Sequence, residues 1–261
     1  IATIGGLLLV LNAPNVSLSG MAFEISIVVP FLNMAKQFTG NVNQMAQQMK
    51  TMVTLWREKW EIGEFPFFYC QIAPYDYSRI NWTVNSALLR EQQLFAEKMI
   101  PNAGMAVLMD AGIEKGIHPP QKNIAGERLA LLALAKTYGV EGIAAESARY
   151  KAMRVEGDAA ILEFENDKMN LYGKDNTFTS ELMEIAGEDR VFYPAKVELH
   201  KRKFLKVTSP NVAKPAAVRY AFKDWVSGDL FCDNLPLSSF RTDNWPVAER
   251  GAEKEKIEYD R

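Results

Sequence analysis

The chain has 261 residues, 48% of them hydrophobic and 24% charged, which suffices for one large domain or two small ones and excludes a wholly disordered chain. Thirty Lys and Arg stand against 32 Asp and Glu, so the net charge of −2 offers no basic field to a nucleic acid. Two cysteines, Cys70 and Cys232, and two histidines, His118 and His200, exclude a disulfide scaffold and a multi-cysteine zinc site and leave imidazole chemistry two candidates.

The apolar run at 7–11 is too short to span a bilayer and has no basic flank, so it reads as a buried strand or the start of a core helix. A start at Ile1 rather than Met points to processing or truncation. Met45, Met49, Met52, Val53 and Trp56 recur at three and four residues and predict a helix over 43–60. The continuous apolar run 64–72 predicts a strand buried on both faces. A second helix is predicted over 85–99, with Leu88, Leu89, Gln92, Phe95 and Met99 on one side. A second buried strand follows at 104–109, then a third helix over 126–138 with Leu129, Leu132, Ala133 and Lys136 in register and Gly139 as its stop. This alternation is that of an α/β layered domain with parallel strands.

After Gly142 short alternating stretches appear at 160–164, 191–193, 204–207 and 217–222, separated by turns such as 156–158 and 209–211, which predicts a small all-β domain. The expected division is 1–144 for a partial α/β domain, 145–247 for the β-rich domain, and 248–261 for a charged flexible tail.

The segment 109–120 leads from the end of a buried strand toward a helix, which is where an α/β sheet holds its ligand crevice. His118 lies there, its backbone stiffened by Pro119, placed as a general base for a nucleophile; the alternative is a surface histidine without a role. Asp110, Glu114 and Glu127 are the nearby carboxylates that could orient its ring. Ser17, Ser19, Ser227, Ser238 and Ser239 lie in no Gly-x-Ser-x-Gly turn, so none is read as a nucleophile. The histidines and cysteines are too far apart for a metal site, no Gly-rich phosphate loop exists, and no cofactor is expected. Cys70 reads as an inert core thiol.

The stretch 116–130, Gly-Ile-His-Pro-Pro-Gln-Lys-Asn-Ile-Ala-Gly-Glu-Arg-Leu-Ala, resembles the histidine block of bacterial sialate O-acetylesterases, carbohydrate esterases of the SGNH-hydrolase type. Phe65-Pro66-Phe67 with 71–75 resembles the family's central strand and loop, and 89–92 its next helix. Residues 186–189, 192–195, 218–222 and 238–245 resemble its β portion, so the likeness runs from about 41 to 245.

The resemblance implies a three-layer SGNH-hydrolase-like parallel sheet, here incomplete, followed by the small all-β domain. It implies hydrolysis of O-acetyl esters of sialic acid by a serine and His118, with Gln71, Arg90 and Gln92 toward the substrate and with the carboxylate partner either Asp110 or missing. It implies a periplasmic or secreted location. The family's Gly-Gln-Ser-Asn-Met nucleophile segment is absent, its Trp-Tyr-Gln-Gly-Glu-Ser-Asn block is replaced by unrelated residues within 22–40, and Gly116 stands where members often carry an acid. The chain therefore reads as the C-terminal part of a longer esterase, inactive alone, and expected to associate with the missing part or with itself. The competing reading is a non-catalytic remnant that binds carbohydrate or a partner, with Tyr75, Tyr77 and Trp82 as stacking candidates.

Overall fold

The computed structural model describes residues 44–77, 85–165, 171–173, 179–201 and 204–247. The apolar run at 7–11, the unmatched segment 22–40, Ser17, Ser19, Trp82 and the tail lie outside the described residues.

Helix α1, Met45–Trp60, buries Ala46, Met49, Val53 and Trp56, the stripe its periodicity predicts. Strand β1, Phe67–Cys70, and strand β2, Ala103–Ala106, are buried at every position and pair in parallel, Phe67 opposite Ala103 and Cys70 opposite Ala106. Successive side chains of a strand point to opposite faces. Phe67, Tyr69 and Met105 therefore pack with α1 and with Ala96 of helix α2, Ser86–Met99. Phe68, Cys70 and Ala106 point the other way, against Leu129 and Leu132 of helix α3, Lys122–Leu132. Parallel strands with helices on both faces make this part α/β.

Two expectations about the helices are corrected. The buried side of α2 is Ser86, Ala87, Arg90, Gln92, Gln93 and Ala96, while Phe95 is 47% exposed. Hydrogen bonds made by the inward polar groups, described below, outweigh the apolar stripe. Helix α3 starts at Lys122 rather than near Gly126, and it runs into a π-helical turn, Ala133–Thr137, before Gly139 at φ +67 ends it. Gly126 sits exposed inside the helix, where glycine costs only about 1 kcal/mol of propensity.

The remainder is antiparallel. Strands β3 (Arg149–Glu156), β4 (Ala159–Glu165), β8 (Lys196–His200) and β9 (Phe204–Thr208) form one sheet in the order β3-β4-β9-β8. Strands β6 (Met183–Ala186), β7 (Phe192–Pro194), β10 (Ala217–Tyr220) and β13 (Phe240–Arg241) form a second, ordered β13-β10-β6-β7. Strands β5 (Leu171–Gly173), β11 (Leu230–Cys232) and β12 (Leu235–Pro236) form a third. The change from parallel to antiparallel pairing falls between Thr137 and Arg149, but the core does not divide there. Met49, Tyr69 and Met105 belong to the same apolar cluster as Leu162, Ile185, Val207, Tyr220 and Phe240. No helix among the described residues is long and apolar enough to cross a membrane.

An ion pair joins the two parts. Arg149 Nε donates to Glu97 Oε2 at 2.9 Å and Nη2 to Glu97 Oε1 at 3.2 Å, and both side chains are 9% exposed. Arg149 also donates to the carbonyls of Ser147 (3.1 Å) and Met105 (3.2 Å), and Glu97 Oε1 accepts the Met105 N–H at 2.8 Å. Removing one member leaves a buried charge without its partner. Glu97→Gln is expected to lower the unfolding free energy in urea by about 3 kcal/mol. The double replacement Glu97→Leu with Arg149→Met is expected to cost more than Glu97→Gln alone, because it also strips the Met105 N–H and the Met105 and Ser147 carbonyls of their partners, and a smaller loss in the double variant contradicts this account.

Candidate functional site

The segments that leave β1 and β2 at their carboxyl ends meet. Gln71 N–H still donates to Ala106 O at 2.8 Å, after which Pro74, Tyr75 and Tyr77 turn inward, the two tyrosine rings edge to face at 5.0 Å. The segment after β2 folds over them. Asp76 N–H donates to Glu114 O at 3.2 Å, and a Cβ on Gly112 would lie 2.1 Å from the Pro74 carbonyl oxygen, so only glycine fits this approach. From the β part, Gly228 N–H donates to Met109 O at 2.9 Å.

His118 follows in the same loop after β2, exposed, between Ile117 (47% exposed) and Pro119. No described side chain is hydrogen-bonded to its ring. Asp110 is not brought to it. Both Asp110 oxygens accept from Arg128, Oδ1 from Nη1 and Oδ2 from Nη2, each at 2.7 Å. A two-toothed pair of this kind occupies the carboxylate face that would orient an imidazole.

The three residues expected near substrate come together, but inside the protein. Arg90 is fully buried and donates to Ser239 Oγ (3.0 Å), Ser86 Oγ (3.1 Å) and the Lys223 carbonyl. Burial lowers its guanidinium toward about 10, opposed by Tyr77, and it remains charged at neutral pH. Gln71, equally buried, donates to Ser238 Oγ at 2.7 Å and to Arg90 O at 3.1 Å, and its Oε1 finds no partner among the described residues. Gln92 Oε1 accepts the Ala46 N–H at 3.4 Å, at the start of α1. These side chains bind the end of β1 to α1, α2 and the segment 238–239. All three are buried.

Several residues that shape this region gave little signal in the sequence. Gln93 bonds the Ile72 N–H (2.9 Å) and the Cys70 carbonyl (3.2 Å), and Arg128 bonds the Val107 carbonyl at 2.7 Å. The available clue was position: Arg128 precedes Leu129 on the inward side of α3, where an unpartnered cation is costly. Burial pushes the Cys70 thiol up to about 11 and the Cys232 thiol up to about 12, so both stay protonated at neutral pH. Among the described residues no group of three or more His, Cys, Asp or Glu is arranged to hold a metal ion.

A paired substitution tests the contact between the two loops. Gly112→Ala forces backbone against backbone and is expected to cost about 2–3 kcal/mol, seen as a melting temperature lower by roughly 4–10 °C. Gly126→Ala, with no atom within 4 Å of its added Cβ, is expected to leave the melting temperature unchanged or raise it.

No protein-family model matches the chain, and no curated protein matches it either. Among solved structures, the chain is similar to a carbohydrate acetylesterase from Xanthomonas citri, with 31% sequence identity and a TM-score of 0.72. The match covers 79% of this chain and 47% of that one, so this chain spans about half the length of the esterase it resembles. The chain shares with that structure a mixed α/β fold of several sheets.

Proposed function

We propose that the chain is the C-terminal part of a sialate O-acetylesterase and that His118 is its general base. The observation that carries this reading is the 31% identity to a carbohydrate acetylesterase across 79% of the chain. The position of His118 agrees with it: an exposed imidazole in the loop that leaves the carboxyl end of β2, a loop held against the one after β1 by the Gly112–Pro74 approach. In this reading a serine hydroxyl from outside the chain attacks the acetyl carbonyl while His118 takes its proton. The proton passes to the departing sugar hydroxyl, and water, deprotonated by His118, releases acetate from the serine. The same reading carries an SGNH-type sheet completed by preceding sequence, association with that missing part, and a periplasmic or secreted location.

A second reading is favoured by a different observation. The His118 ring has no hydroxyl or carboxylate bonded to it among the described residues, as a carbohydrate-binding remnant would allow.

The test uses the complete gene product that contains this chain, with O-acetylated sialic acid and an O-acetylated neutral sugar as substrates and acetate release as the readout. Sialate esters are expected to be cleaved faster, and His118→Ala is expected to lower the rate by roughly a hundred- to ten-thousand-fold. The 261 residues alone are expected to release little acetate, because the family's nucleophile segment is not in them. Equal turnover by His118→Ala removes this histidine from the mechanism. Sugar binding without acetate release favours the remnant, and preference for the neutral sugar rejects the sialate assignment.

A further inference from the structure

The segment from Val107 to Gln121 connects β2 to α3 without a helix or strand of its own. A loop of that length has considerable freedom unless it is tied. His118 lies near its far end, and no described side chain holds the ring directly. Its placement therefore depends on how the loop is anchored.

The strongest anchor is Arg128. From the second turn of α3 its guanidinium reaches back across the mouth of the loop. Nη1 donates to Val107 O and to Asp110 Oδ1, and Nη2 to Asp110 Oδ2, all at 2.7 Å. The two side chains are 11% and 21% exposed, so water competes little for these bonds. The pair joins residues eighteen apart and closes 110–128 into a ring with His118 inside it. The Ala111 N–H to Leu108 O bond (3.1 Å) and the Asp76–Glu114 contact stiffen the first half of that ring.

We infer that Asp110 and Arg128 are positioning residues for His118: they set the loop that aims its ring, and Asp110 acts through Arg128 rather than on the imidazole. The functional half of this inference rests on His118 being the base; the geometric half does not. Fixing a catalytic group in its reactive orientation raises the rate of the chemical step, with little effect on the binding of a substrate held elsewhere.

In the complete gene product the ring signals of His118 and His200 are each assigned by the loss of that signal in His118→Ala and in His200→Ala. The complete gene product is compared with its Asp110→Asn, Arg128→Lys and Arg128→Met forms by proton NMR and by acetate release. Asp110→Asn keeps the volume and removes the charge; Arg128→Lys keeps the charge and removes the two-toothed fork. In each variant the His118 signal is expected to shift or broaden while that of His200 stays in place. The kcat is expected to fall roughly 10- to 100-fold with KM nearly unchanged, and Arg128→Lys to retain more activity than Arg128→Met. An unmoved His118 signal in folded Asp110→Asn overturns the inference, and so does joint displacement of both signals, which marks a general loss of structure. If His118→Ala is as active as the parent while Asp110→Asn still moves the His118 ring, the brace stands and the assignment of the base falls.

Discussion

Among the described residues the parallel sheet has two strands, and the side chains that meet backbone groups along its outer edges organise much of what surrounds it. Phe67 N–H and Gln71 N–H bond the carbonyls of Asn102 and Ala106, so alternate residues of each strand face the partner and the others face outward. Met105 faces outward on β2. Its N–H meets Glu97 and its carbonyl meets Arg149, so the buried ion pair stands where a third strand would. Val107 O, next along the same edge, is taken by Arg128. On the other side, Cys70 O and Ile72 N–H are met by the amide of Gln93. Buried backbone groups left without partners cost more than these side chains lose on desolvation, which accounts for charges and amides so deep in the molecule.

The same constraint explains the unexpected face of α2. Arg90, Gln93 and Glu97 are spaced three and four residues apart and lie along one side. Gln93 and Glu97 close strand edges, and Arg90 fixes segment 238–239 and the Lys223 carbonyl to the helix. The helix acts as a polar spine shared by the parallel and antiparallel parts. Because each of its bonds reaches a different element, the apolar core can run unbroken from Ala46 to Phe240.

What the sequence disclosed follows from this division of labour. Helix α1 and strands β1 and β2 were legible because burial alone decides their residues. In the sheet β3-β4-β9-β8 the two central strands were legible from their apolar alternation, and the two edge strands were not. Strand β3 is largely exposed, and Lys151 and Arg154 point to the charged surface expected of an edge. The start of α3 was hidden because Gln121 makes no capping bond and Gly126 looks like a boundary when it is an exposed interior residue. Gln71, Arg90 and Gln92 were recognisable as polar groups in apolar surroundings. Sequence could not say whether such groups face a ligand or the protein itself, because both solutions satisfy the same hydrogen-bonding demand.

The histidine loop shows where that ambiguity matters for function. Asp110 and His118 are eight residues apart in a segment that resembles an esterase histidine block, and a carboxylate near an imidazole invites an assignment as its partner. The structure instead gives the carboxylate to a guanidinium from the following helix. A carboxylate bonded to an imidazole would both orient the ring and stabilise its protonated form. One locked to Arg128 can do only the first, and only through the backbone. The brace ties the backbone that carries the ring, and the imidazole itself has no bonded carboxylate among the described residues.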